Sequence, residues 1–486
     1  MIKKLPALFL GLALPLATMG QNVIELPDIG DSAGSIISPQ QERMLGSESM
    51  RQIRREAPVI DDTEVEDYIR SLGGKIADQA DFYLPINFFM IKQNDINAFA
   101  VPGGYVGVNS GLLLNSRSES EVASVLAHEV VHLTQRHTVR SIEAQGRTAI
   151  PALIAMLGAI ALAAASPEAG QAAIVGVQAA QQQYAINFTR GNEQEADRIG
   201  IQLLYDAGFD PMAMPEFFQK LQLANRYTDM TNVPEYLLTH PVTNNRIAEA
   251  RDRAERLPRV QVESSKAYHL TWAKLKVLTA DNPLQARQYY EAILRSGDYE
   301  DRDVALYGLA LGQAAAANYD DARATLTDLI RRNPDQIAYR LAAADLEMRA
   351  GNVLYATDLY RIAYELAPDS RAALYGVATT LTLTDHAEEA REIMREKGFR
   401  DEDDPRYFRV LADAEVRAGR EADGRFSMAE YYYRIGEYQL AMRQLDLAQQ
   451  ANGLTNYQTQ RIRARMMEIN DELARFRKER DRERRN

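Results

Sequence analysis

The sequence predicts a mainly α protein in two parts, an α+β domain followed by an α-solenoid. Three observations predict it. A run of short apolar segments interrupted by Pro-Gly-Gly marks a small sheet near residue 100. Apolar residues at helical spacing fill much of the remainder. From about residue 267, small residues and prolines recur every 34 positions, the interval of tetratricopeptide repeats, in which paired helices stack.

The first element is MIKKLPALFLGLALPLATMG, with Lys3 and Lys4 ahead of an apolar run over 5–17 and small residues up to Gly20. This is the layout of a secretory signal peptide over 1–20, too short to span as a mature helix. An uncleaved anchor is the alternative. A polar stretch leads to Pro39. Residues 40–80 then show helical spacing with charged faces at 41–55 and 64–75. In INFFMIKQNDINAFAVPGGYVGVNSGLL, residues 88–91, 99–101 and 105–108 read as strands, with Pro102-Gly103-Gly104 forcing a turn. Ser118 and Glu121 have capping-box spacing and open a helix. Its positions 122–133 are rich in Val, Ala and Leu, hence largely buried. Residues 149–165, AIPALIAMLGAIALAAA, are continuously apolar. They read either as a membrane span or as a buried, lid-like segment, and their shortness and Ala/Gly content favour the second. Another helix starts near Asn192 and stops at Gly208.

In the solenoid, Ala322, Ala356 and Ala390 share one phase of the 34-residue period; Ala310, Ala344 and Ala378 share another; Pro334 and Pro368 a third. The alanines fall where paired helices must approach closely, and each proline ends a second helix. A further copy surrounds Ala429 and Ala441, with Gly436-Glu437-Tyr438 as its turn, and a degenerate first copy centres on Ala286. The expected layout is a signal peptide at 1–20, a first domain at 40–260, repeats at 267–466 and a charged helical tail at 467–486.

Composition removes several classes of function. The chain has 486 residues and a net charge of −12, so no general basic field attracts nucleic acid. It has no cysteine, which excludes a disulfide framework, a thiolate nucleophile, thiolate metal ligands and a lipidated N-terminal cysteine. An exported chain without disulfides suits a bacterial periplasm.

Chemistry concentrates in HEVVH at 128–132. Residues four apart on a helix are offset by about 40°, so His128 and His132 can face one ion. Glu129, turned about 100° away, is placed to reach a water beside the metal rather than the metal itself. Neutral imidazoles suit zinc, and a catalytic zinc needs a third protein ligand and an open position. The HExxHxxGxxH pattern fails, because Gln135 and Thr138 stand where Gly and His are required. His137 follows His132 by five residues, on a different face. A carboxylate from another helix is the natural remaining ligand. In NEQEAD, Glu193 and Asp197 share a face, Glu195 points away, and Ala196 is small enough for close packing. Glu193 is therefore chosen as third ligand, with Asp197 accepting a hydrogen bond from a ligand histidine.

HEVVH, EQEAD, the preceding NAFAVPGG and the following LLTHP together resemble the zinc peptidase family that includes the CAAX prenyl protease and the membrane heat-shock protease. The resemblance covers about 40–255 and implies a zincin-type metallopeptidase domain. It implies zinc on His128, His132 and Glu193, with Glu129 as catalytic base. With an export signal and a repeat tail, the chain resembles the exported branch that serves outer-membrane protein assembly. That implies unfolded or misassembled outer-membrane proteins as substrates and a β-barrel assembly machinery docked by the repeats, and allows peripheral membrane association.

The expected activity is zinc-dependent endopeptidase cleavage, with Glu129 passing a proton from water to the leaving amine. The alternative is a chaperone-like assembly factor that acts mainly by protein binding through its repeats, with latent protease activity. Residues 97–101 are expected at a sheet edge beside the cleft, as substrate rail or as structure alone. His240, in LLTHPVTNNR, reads from the residues as a turn residue; the resemblance implies the alternative that it approaches the zinc, either as an oxyanion stabiliser or as an occupant of the open coordination position that keeps the enzyme latent. Arg246 is expected to support the same loop. His137, His269 and His386 receive no role.

Overall fold

The computed structural model describes residues 37–145, 190–227, 235–397 and 403–483. The expected signal peptide at 1–20 and the apolar run at 149–165 lie outside these residues. Helix α1 (Pro39–Glu56) opens on a complete capping box, in which Ser38 accepts from the Gln41 N–H and Gln41 accepts from the Ser38 N–H. Helix α2 (Thr63–Ala77) is capped by Asp62 and buries Val65, Tyr68, Ile69, Leu72 and Ile76, a stripe at helical spacing.

Strands β1 (Asn87–Ile91), β2 (Ala98–Val101) and β3 (Tyr105–Asn109) form one sheet of order β1-β3-β2, with β1 parallel and β2 antiparallel to β3. Gly103 and Gly104 have φ of 92° and 93° and turn the β2–β3 hairpin, as Pro-Gly-Gly predicts. Gly107 faces both Phe89 and Phe99 across the sheet. A Cβ there would come within 2.4 Å of the Phe99 ring, so the two aromatics close over the central strand only because it carries glycine. β2 lies at the edge, as expected.

After the short α3 (Ser110–Asn115), helix α4 (Glu119–Thr134) carries the HEVVH residues. Ser118 accepts from the Glu121 N–H, but the Glu121 carboxylate accepts from the Arg117 N–H, so the predicted box is half made. All of α4 up to Leu133 is buried: it runs through the core rather than over it. Then come α5 (His137–Gln145), α6 (Arg190–Asp206), α7 (Ala213–Tyr227), α8 (Glu235–Thr239) and α9 (Asn244–Arg256). Helix α6 lies on α4 through Glu193, Ala196, Asp197, Gly200, Ile201 and Leu204. A Cβ on Gly200 would stand in van der Waals contact, 3.4 Å from the backbone of Ala127 and His128, so α6 passes close to α4 at this point. β2 packs against the same helix α4.

The solenoid comprises α10 (Lys266–Leu278), α11 (Pro283–Ser296), α12 (Arg302–Ala315), α13 (Tyr319–Arg332), α14 (Ile337–Arg349) and α15 (Val353–Leu366). It continues through α16 (Arg371–Leu383), α17 (Ala387–Lys397), α18 (Pro405–Arg417), α19 (Glu421–Arg434), α20 (Tyr438–Gln449) and α21 (Asn456–Glu483). Every alanine singled out by the period from Ala310 to Ala390 is fully buried. The phase also runs one copy further, to the buried Ala412 and Gly424. A second regularity lies in the backbone. Ala317, Gly351, Asp385, Gly419 and Gly453, 34 apart, all have positive φ.

The two parts touch extensively. Tyr268 and Leu275 of α10 belong to the same apolar cluster as α2, α4 and α7. Lys274 pairs with Asp62 and Glu64, Arg371 with Asp67 and Asp404, and Arg51 of α1 with Glu472 of α21. α21 runs unbroken through the expected start of the tail at 467. No helix among the described residues is long and apolar enough to cross a membrane.

Candidate metal centre

Helix α4 places His128 and His132 one turn apart with Nε2 atoms 3.0 Å from each other. Glu193, from the first turn of α6, lies opposite: Oε2 is 3.4 Å from Nε2 of His128 and Oε1 3.4 Å from Nε2 of His132. His240, just after α8, enters the same cluster. Its Nδ1 is 3.1 Å from both Glu193 oxygens and 3.3 Å from His128 Nε2. One donor atom from each of the four lies within 4.8 Å of the others, and all four residues are buried. Among the described residues this is the one such group.

Glu129 faces elsewhere, as its position on the helix requires. Its Oε1 is buried and accepts no hydrogen bond; the nearest basic atom is His240 Nε2 at 3.5 Å. Burial drives the Glu129 carboxyl up, against the pull of His240 and His128 and a backbone bond from Ala100. That last contact ties the outer edge of β2 to the base.

The charges around the cluster are balanced by a second layer. Asp197, one turn along α6, has Oδ1 3.0 Å from Nδ1 of His128. Arg246 of α9 grips Asp197 with two hydrogen bonds of 2.7 and 2.8 Å, lies 2.8 Å from Glu193, and donates to the Pro241 carbonyl at 2.9 Å. It therefore supports the His240 loop, as expected, and the acidic pair as well. Burial pulls His128 down, but its bonds to Asp197 and Glu193 prevail and lift it to about 9. Burial wins at His132, which falls to about 3. Burial pushes Glu193 up, but His240, His128 and His132 hold it well below the usual carboxylate range.

The six positions singled out from the sequence, His128, Glu129, His132, Glu193, Asp197 and His240, thus occupy one place. Sequence reasoning missed His137. Its buried ring has Nδ1 3.0 Å from Nδ1 of His132 and Nε2 3.2 Å from Glu195. The five-residue interval argued against contact because it assumed a straight helix. His269 and His386 lie outside the cluster.

Residues 63–254 match Peptidase family M48. The β-barrel assembly-enhancing protease of Escherichia coli (strain K12) is 37% identical over 452 residues, 93% of this chain and 92% of that protein. This chain belongs to peptidase family M48. A putative β-barrel assembly-enhancing protease of Vibrio cholerae is 42% identical over 336 residues, 68% of this chain and 69% of that protein. The mitochondrial metalloendopeptidase OMA1 of Schizosaccharomyces pombe is 33% identical over 189 residues, 38% of this chain and 52% of that protein. As a member of M48 the chain is a metallopeptidase, and the buried His/Glu cluster is where its structure offers a metal ion a home.

Proposed function

We propose that this chain is an exported zinc endopeptidase that degrades misassembled outer-membrane proteins. The observation that carries the reading is the convergence of two imidazoles and a carboxylate from two packed helices, with the buried Glu129 carboxylate beside them, its Oε1 accepting no hydrogen bond. The donors fit zinc: nitrogen and oxygen atoms only, closely spaced, with Glu193 held ionised. His128, His132 and Glu193 would hold the ion. Bound there, zinc supplies Lewis acidity that activates water and polarises the scissile carbonyl.

The remaining steps belong to side chains. Glu129, desolvated and free at Oε1, takes the proton of the attacking water and delivers it to the leaving amine. Asp197, clamped by Arg246, fixes the ring of His128. The outer edge of β2, the last strand of the sheet, pairs with an extended substrate backbone and lays it across Glu129. His240 lies inside the donor cluster, and its ring stacks on Tyr236, whose N–H is bonded to Ile96 O beside β2. That placement favours the latent reading, in which the His240 loop must leave before substrate enters.

The proposed division is a peptidase domain at 40–260, repeats at 267–466 and a tail at 467–486. The repeats offer a protein-binding surface, and the likeness to β-barrel assembly-enhancing proteases favours the β-barrel assembly machinery as what docks there. The same likeness and the signal-like residues 1–20 support a periplasmic location.

Metal analysis of the purified protein, paired with casein cleavage with and without a chelator, tests the core of this reading. One zinc per chain and chelator-sensitive cleavage are expected. Glu129→Gln should keep the metal and lose about 10²–10⁴-fold in turnover; full activity would reject Glu129 as the base. His240→Ala should raise basal cleavage, whereas a loss would make His240 an oxyanion stabiliser. Full rescue of envelope integrity by Glu129→Gln would favour the chaperone-like alternative.

A further inference from the structure

A left-handed step in the backbone brings an unassigned histidine onto a metal-site residue. Helix α4 ends at Thr134 and α5 begins at His137; Arg136 between them has φ of 52°, where a Cβ crowds the backbone. The step is held from outside. Arg136 Nε donates to Oε2 of the buried Glu42 at 3.0 Å, Nη2 donates to the Ile37 carbonyl at 3.0 Å, and the Tyr83 hydroxyl donates to the same Glu42 oxygen at 2.6 Å. Because the chain turns here, His137 folds back on the end of α4, and its Nδ1 reaches 3.0 Å from Nδ1 of His132. Its other nitrogen is 3.2 Å from Oε2 of Glu195, which projects from the face of α6 opposite Glu193. Arg140 and Arg198 flank that carboxylate at 3.7 and 3.9 Å.

This geometry allows one arrangement of hydrogens. Two Nδ1 atoms in contact share a single hydrogen. Nε2 of His132 faces His128 and Glu193, so a cation there needs its lone pair, and the hydrogen of His132 sits on Nδ1. His137 accepts it at Nδ1, carries its own hydrogen on Nε2, and donates to Glu195. Each ring is thereby held in one tautomer. His128 is served differently, by the buried carboxylate of Asp197 directly. The imidazole between His132 and Glu195 keeps a second carboxylate out of direct contact with the ligands.

Resting on the reading of His132 as a ligand, we propose that His137, backed by Glu195, is the positioning residue of the second metal histidine. It orients the ring, fixes its tautomer and strengthens it as a donor. The motif is thereby longer than HEVVH: it runs to the histidine five residues on, provided the step at Arg136 is made.

The test measures zinc affinity of the full chain by competition with a chromophoric chelator, for the native protein and for His137→Ala, His137→Gln and Glu195→Gln. Thermal midpoints of the zinc-free proteins are recorded beside it. His137→Ala should lose about 10- to 100-fold in affinity, the usual cost of removing such a partner. His137→Gln, whose side-chain carbonyl can accept the same hydrogen, should recover most of it. Glu195→Gln should show a smaller loss. Zinc-free midpoints should stay together. In zinc-loaded protein labelled on its six histidines, the ¹⁵N shifts of His132 should report hydrogen on Nδ1. Affinity within about two-fold of native in His137→Ala would overturn the proposal. So would a loss that glutamine does not restore and that the zinc-free midpoint mirrors, since packing alone would explain it. Should His137→Ala fail to fold, Glu195→Gln decides by the same affinity criterion. Native protein that binds no stoichiometric zinc, or a His132→Ala variant that binds it undiminished, overturns this proposal together with the metal reading beneath it, and is recognised by that signature.

Discussion

Helices α4 and α14 are both buried, yet they bury different things. α4 takes His128, Glu129 and His132 into the core and sets them against Glu193, Asp197 and His240, which lie 61 or more residues away in sequence. α14 buries Tyr339, Leu341, Ala342, Ala344 and Leu346, and its one buried charge, Glu347, is met by Arg323 of the preceding helix and by Asn352 five residues on. Within the solenoid most packing joins neighbouring helices and recurs with the repeat, so the stability of the stack is close to a sum of similar small parts. In the peptidase core stability is concentrated in a network where each charge depends on the next, and removing one partner strands the rest.

The largest expected effect breaks that network. Arg246→Met leaves Asp197 and Glu193 without their common cation and should destabilise the zinc-free protein by about 3–5 kcal/mol, read by urea unfolding. Added zinc should restore part of the loss, because the ion binds only the folded arrangement. An unchanged midpoint would mean the network is no more coupled than a solenoid contact.

An alanine of the repeat interface comes next. Ala344 is fully buried between paired helices, and Ala344→Leu should cost about 1–3 kcal/mol by overpacking. Zinc affinity should not change. A fall in affinity would show that strain in the solenoid reaches the peptidase core.

The smallest effects probe the recurring left-handed position. Gly351, with φ of 83°, should lose about 1 kcal/mol as Gly351→Ala. Ala317, at the same phase with φ of 60°, should gain about 0.5–1 kcal/mol as Ala317→Gly, measured by the same unfolding curve. Opposite signs at two equivalent sites would confirm that one backbone rule governs the turns. Equal signs would place the cost in local packing instead.

The sequence by itself determined the elements and their rhythm. The cap at Ser118, the Pro-Gly-Gly hairpin turn and the 34-residue phase of alanines are legible because their causes lie within a few residues, or repeat at a fixed interval. His128, Glu129 and His132 were legible for the same reason, since one helical turn relates them. Glu193 and Asp197 could be selected by face, although only the packing of Ala196 and Gly200 against α4 brings them to the histidines. The tertiary structure alone decided the rest. His240 enters the cluster through a loop held by Arg246, and no local pattern encodes that. His137 reaches His132 because Arg136 adopts a conformation that arginine avoids unless Glu42, nearly a hundred residues earlier, secures it. Strain of that kind is sustained by distant contacts, so it leaves no mark in the residues that bear it.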